Sequence, residues 1–158
     1  MSWFISTAAG KMLLTTLFAM VPVAELRAAI PFGVAMGLKL HTSLMCSIIG
    51  NLIPTPFIII YVERIFHWLR RVNRKLDALV TKLENRANLK SDAVTKYGFI
   101  GLCVLVAIPL PGTGAWTGSL VAALMDIPLK KAMPAVILGV LIAGVIVSCL
   151  TFGVVSLF

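Results

Sequence analysis

Tyr97-Gly-Phe-Ile-Gly-Leu-Cys-Val-Leu-Val-Ala-Ile-Pro109 is an apolar run of 13 residues. It stops at Leu110-Pro111-Gly112-Thr113-Gly114 and resumes as the 11 residues Ala115-Trp-Thr-Gly-Ser-Leu-Val-Ala-Ala-Leu-Met125, ahead of Asp126. Pro109 and Pro111 remove backbone donors and forbid a continuous helix, and the glycines let backbone approach other groups closely. At 1.5 Å per residue each piece reaches roughly half of a 30 Å hydrocarbon core. A half-length helix, a break and a second half-length helix read as a re-entrant hairpin, which enters and leaves by one face. Such a break survives at membrane depth only inside protein or beside a wet cavity. The first half of the chain has the same layout: Met12 to Ala24 (13 residues), a stop at Glu25-Leu-Arg27, then Ala28 to Leu38 (11 residues) up to Lys39. Each hairpin is followed by a segment long enough to span, Leu40 to Val62 and Ala132 to Phe158, and neither contains Asp, Glu, Lys or Arg.

Composition identifies the solvent. Of the 158 residues 59% are AVILMFWYC and 13% are charged, with a mean hydropathy of +1.01. Soluble domains run at about 45–50% apolar and about 25% charged. Nine basic and four acidic residues fall between Glu63 and Lys96, leaving only Lys11, Glu25, Arg27, Lys39, Asp126, Lys130 and Lys131 elsewhere. Seven charges cannot make a water-facing shell, so the reading is an all-α integral membrane protein. This excludes a soluble enzyme, a disordered tail and, despite a net charge of +8, a nucleic-acid-binding domain. Cys46, Cys103 and Cys149 all lie in apolar stretches and read as free thiols. The N-terminus has no basic start or small-residue cleavage site, so no signal peptide is expected.

The two halves resemble each other. An offset of 89 places Pro22 on Pro111, Met36 on Met125, Leu40 on Leu129, Ile48 on Ile137, Gly50 on Gly139, Leu52 on Leu141 and Ile53 on Ile142. The expectation is one transmembrane domain over 1–158: repeat 1 at about 12–62, a linker at 63–96, and repeat 2 at about 97–158. Lys and Arg orient it, because the nine basic residues of the linker and Lys130-Lys131 belong in the cytoplasm. Hairpin one then opens outward and hairpin two inward, which makes the repeats inverted and puts both termini outside. Within the linker, Leu69, Val72, Leu76, Leu79 and Leu83 recur at helical spacing among Arg70, Arg71, Arg74, Lys75 and Lys82. This is a basic amphipathic helix for anionic lipid or the protein's inner face. Asp126 stands four residues before Lys130 and is expected to pair with it.

Charge within a bilayer costs roughly 2.5–3.5 kcal/mol per residue on insertion scales, so Glu25 and Arg27 need partners. They either satisfy each other and nearby backbone, fixing the hairpin, or they form a site. In a site, Glu25 would hand on a proton or cation, and the guanidinium fork of Arg27 would hold an anionic group. The turn of hairpin two offers Pro109, Pro111, Gly112, Thr113, Gly114, Trp116 and Thr117. The helix beginning near Thr113 aims its N-terminal dipole at mid-membrane, where an anion would be welcome. Gly33-xxx-Gly37 and Gly114-xxx-Gly118 also fit close helix packing. In the first long segment Pro54 and Pro56 should kink the helix and free carbonyls. Asn51, the only amide in either long segment, serves the site or bonds a freed carbonyl. His41 and His67 lie near the membrane edges with no second ligand at metal spacing. No nucleophile–base pair stands out, so no catalysis is expected.

Glu25-Leu-Arg-Ala-Ala-Ile-Pro31 with Gly50-Asn51, and Ala107-Ile-Pro-Leu-Pro-Gly-Thr-Gly-Ala-Trp-Thr-Gly118, resemble the small multi-drug export protein family. The resemblance covers about residues 20 to 150. That family is similar to the wider DedA-like (VTT) superfamily, which implies paired re-entrant hairpins and inverted repeats. The superfamily includes bacterial carriers proposed to move undecaprenyl phosphate, and eukaryotic lipid scramblases. Glu25 matches its acidic residue in the first hairpin, whereas the arginines of its second hairpin are replaced here by Pro-Gly-Thr-Gly and Trp116. The resulting expectation is an ion- or proton-coupled secondary transporter of the bacterial inner membrane, with 63–96 cytoplasmic. It would move a small or drug-like molecule through a site between the hairpins formed by Glu25, Arg27, Asn51 and the hairpin-two residues named above. No cofactor is expected; a proton or sodium ion is the candidate for coupling. The expected partners are membrane lipids and a second copy in a homodimer. The alternatives are a DedA-like lipid-phosphate flippase or scramblase and a non-transporting membrane assembly factor.

Overall fold

In a computed structural model, which describes residues 7–72, 78, 80–82, 84, 85, 94, 96–110 and 112–157, every regular element is a helix. After Thr7 the apolar stretch winds into α1 (Ala8–Ala19) and ends ahead of Pro22. The ending is tight, with Met20 N donating to Thr16 O and Leu17 O, and Val21 N to Phe18 O. α2 (Glu25–Ala35) begins at Glu25 itself, at a left-handed φ of +46°. The break therefore lies at 20–24 and not at the charged triplet. The charges ride on the first turn of the next helix, which carries them inward.

After Gly37 the chain turns into α3 (Leu40–Leu52), and α4 (Pro54–Val72) follows beyond Ile53. The expected kink is present, and its carbonyl is accounted for. Pro56 has no N–H for the carbonyl of Leu52, and the Thr55 hydroxyl donates to that oxygen instead, at 2.7 Å. α4 continues past the expected edge at Val62, so 63–72 extends the long helix before any separate linker helix. Of the proposed amphipathic stripe, Leu76, Leu79 and Leu83 lie outside the described residues. Val80 is fully buried against Val62, Phe66 and Ala123, so this part of the linker folds back on the protein.

The second half gives α5 (Phe99–Ala107), α6 (Ala115–Leu124) and α7 (Leu129–Leu157). α1 and α2 both pack on α3, and α5 and α6 both pack on α7. Matching glycines set the close approach in each half. A Cβ on Gly50 would lie 2.2 Å from Thr16 O on α1, and one on Gly139 would lie 2.6 Å from Val106 Cβ on α5. Backbone features recur at the offset of 89 as well. Glu25 and Gly114 both have positive φ, as do Gly37 and Asp126. Leu38 N donates to Gly33 O at 3.0 Å and Ile127 N to Ala122 O at 2.9 Å, so α2 and α6 end in the same Schellman-type closure.

Asp126 thus occupies the left-handed closing position and makes no ion pair with Lys130 among the described contacts, contrary to the sequence expectation. Its side chain is exposed. The two small-residue pairs also divide their labour. Gly33 packs against Ser43 and Gly118 against Val106, while Gly37 serves a turn and Gly114 faces Glu25. Cys46, Cys103 and Cys149 are free thiols, as expected, but none is buried as their apolar stretches suggested: Cys46 and Cys103 are half-buried and Cys149 is exposed.

The halves meet through a core of Leu26, Ile30, Leu102, Val106, Val136 and Val140. Gly144 lies beside Leu44 and Ile48, while Asn51 shares a cavity wall with Val140 and Ala143. Contacts that rise along α3 descend along α7, so these helices are antiparallel. Their outer faces leave Met45, Ile49, Val145, Leu150 and Phe152 exposed, and that of α4 leaves Phe57 exposed. In water such a surface would aggregate, and in lipid it is solvated.

Candidate functional site

The first turn of α2 and the turn between α5 and α6 lock together through Glu25 and Arg27. Glu25 is only 5% exposed, and its Oε1 accepts the backbone N–H of Trp116 at 3.1 Å. This places a carboxylate on the first turn of α6, the anion-favouring helix end expected from the sequence. The anion there is the protein's own. Gly114 makes the fit, because a Cβ at that position would lie 1.9 Å from Glu25 Oε2. The φ of Gly114 is +129°, a second reason for glycine.

Arg27, one strand of turn further along, reaches the same loop from the side. Its Nη1 donates to Leu110 O, and its Nη2 to Thr113 O and, at 2.9 Å, to Thr113 Oγ1. The fork that the sequence offered to an anionic ligand is engaged by carbonyls of the loop between α5 and α6. The Thr113 hydroxyl, 2.7 Å from Ile108 O and 2.8 Å from Leu110 O, draws that turn shut. Trp116 Nε1 donates to Met20 O at 3.1 Å and ties the turns from the other direction. The Met20 carbonyl carries no signal in the sequence, since any residue could supply it.

The remaining expected site residues are placed less centrally. Asn51 reaches the contact from α3, lining a cavity of about 10 Å³ with Glu25, Arg27 and Gly114. Its Oδ1, an acceptor, has no hydrogen-bond partner. Thr117 Oγ1, on the first turn of α6, donates to Gly112 O in the preceding loop at 3.1 Å, and Gly112 is exposed. Pro111 lies outside the described residues. Pro109 lines a separate groove of about 600 Å³ with Arg27, Pro31, Val34, Leu150 and Thr151. No pattern in the sequence pairs α2 with the far end of α7. Thr151, a lone hydroxyl late in the last apolar segment, was the available signal.

These features define a class: a helical membrane protein with two helices long and apolar enough to cross a bilayer, Leu40–Val62 and Leu129–Gly153. At about 1.5 Å per residue both exceed the 30 Å hydrocarbon core. Residues 25–146 match the model of the family described as "Putative small multi-drug export protein", and the chain belongs to that family. The match begins at Glu25, so it takes in both charges and the whole turn between α5 and α6. No curated protein and no solved structure matches the chain.

Proposed function

We propose that the chain is a secondary transporter, coupled to an ion or proton, which moves a small molecule through a site between two re-entrant hairpins. The observation that carries this reading is the polar lock between the turns. Glu25 and Arg27 hold the opposite loop through a few bonds at a helix end and two carbonyls. Such a lock is weakened when the carboxylate takes a proton or when a ligand competes for the guanidinium. The family's description as an export protein supports transport. The offset-89 backbone features and the antiparallel α3 and α7 support inverted repeats. On this reading the chain lies in a bacterial inner membrane with 63–96 cytoplasmic, and α1–α2 and α5–α6 enter from opposite faces. It forms a homodimer that shields the broken helices from lipid, and it shares ancestry with the DedA-like proteins.

Reconstitution tests it. Glu25→Gln keeps an oxygen that accepts the Trp116 N–H, so the protein should fold. Uptake driven by a pH gradient into proteoliposomes should fall to background across a substrate panel. Undiminished uptake in a folded variant would reject the coupling role. One observation favours a second reading, a lipid-phosphate flippase or scramblase: the groove that starts at Arg27 is apolar along Val34, Val147 and Leu150. That reading expects transfer of a labelled lipid phosphate between leaflets, slowed by Arg27→Ala.

A further inference from the structure

Asn51 is 3% exposed, and its Oδ1 is an acceptor without a partner. A buried acceptor with no donor is costly, and at this depth lipid supplies none. The cavity it lines, about 10 Å³, is also lined by Glu25, Arg27, Leu26 and Val140. The Glu25 carboxylate is an acceptor too, with Oε1 on the Trp116 N–H. An ionised carboxylate and an amide oxygen cannot satisfy each other, so the unpartnered Asn51 Oδ1 calls for a donor bound in the cavity. The space suits about one water molecule, and a cavity with polar partners holds water where an apolar one stays dry.

We propose that this cavity is a binding site for a single water, which donates one hydrogen to Asn51 Oδ1 and the other to the Glu25 carboxyl. A sodium ion fits poorly, because among the described residues Asn51 and Glu25 are the only oxygen-bearing side chains in the lining. The guanidinium of Arg27, in the same wall, opposes a cation. Arg27 is the charged neighbour on α2, and α3, α5, α6 and α7 bring no other charged side chain into the lining. The water completes the hydrogen bonding of Asn51 Oδ1 and of the Glu25 carboxyl inside the closed lock, with Asn51 as the positioning residue. When the carboxylate takes a proton from outside as the turns part, the water can turn to accept from the acid while still donating to Asn51. This deepens the proposed coupling role of Glu25 and rests on it for its functional meaning; it selects the proton over sodium.

Infrared difference spectroscopy of the full chain in lipid nanodiscs, with ordinary water exchanged for its oxygen-18 form, tests the site. An internal-water O–H band sensitive to the exchange is expected in the unaltered protein. It should vanish in Asn51→Leu, which removes the acceptor. It should also vanish in Ala143→Val, which fills the space from an apolar wall and leaves both polar groups in place. Ser119→Ala, at a buried hydroxyl that already donates to Ala115 O and lies outside the cavity, should leave the band unchanged. Absence of the band, or its survival in both cavity variants, overturns the water site. Loss of the band when sodium chloride replaces choline chloride also overturns it, in favour of a cation. If uptake depends on Glu25 and no water band exists, the water fails and the transporter stands. If the band behaves as expected and Glu25→Gln still transports, the water stands and the coupling role fails.

Discussion

At the scale of single residues, the lock depends on what Gly114 lacks. Gly114→Ala puts a methyl against the Glu25 carboxylate and strains a backbone at φ +129°. A loss of about 2 kcal/mol or more is expected, measured as a lower midpoint of thermal unfolding in detergent. Gly98→Ala is the comparison. That residue also has positive φ, +53°, but a Cβ there meets nothing within 4 Å. Its cost should be the backbone term alone, about 1 kcal/mol. Glu25 and Arg27 were legible in the sequence because charge at membrane depth demands an explanation. Their partners were not, since Leu110 O, Trp116 N and Met20 O are main-chain atoms that every residue type possesses. The helix end near Thr113 was readable as a place for an anion, but its occupant, 91 positions earlier along the chain, was not.

Among the elements, the break in the first long helix ties a proline to its neighbour. Thr55→Val should cost about 1 kcal/mol, because the Leu52 carbonyl loses its only replacement for the N–H that Pro56 lacks. In a Pro56→Ala background that carbonyl regains a backbone donor, and the Thr55→Val penalty should shrink. A double-mutant cycle on unfolding midpoints reads the coupling. A second outcome follows from the shared closure of α2 and α6. Asp126→Gly removes a side chain from a left-handed position where it has no ion pair, and should stabilise by about 0.5–1 kcal/mol. The number and order of the helices could be read from apolar run lengths. Their limits could not: α1 stops early at Pro22, and Glu25 belongs to α2. α4 carries on past Val62 because charged side chains suit a helix outside lipid as well as a connector does.

For the molecule as a whole, the proposed topology makes a labelling pattern. With the native cysteines replaced, Lys11→Cys and Lys39→Cys should both react with a membrane-impermeant maleimide added outside intact cells. Tyr97→Cys and Pro128→Cys should react only when the inner face is opened to the reagent. Reaction of the two members of either pair from opposite sides would show that the intervening helices cross the bilayer. The offset of 89 was visible as a scatter of identities, and it gained weight only when left-handed backbone was found at matching positions. On the proposed inverted repeat, one of those matches has a historical consequence. Glu25 and Gly114 are then counterparts, and the acid of one half fills the hollow left by the other. A protein assembled from two identical halves would bring either two carboxylates or two hollows to that place. An ancestor built from equal copies would therefore have closed differently, with this fit arising after the copies diverged.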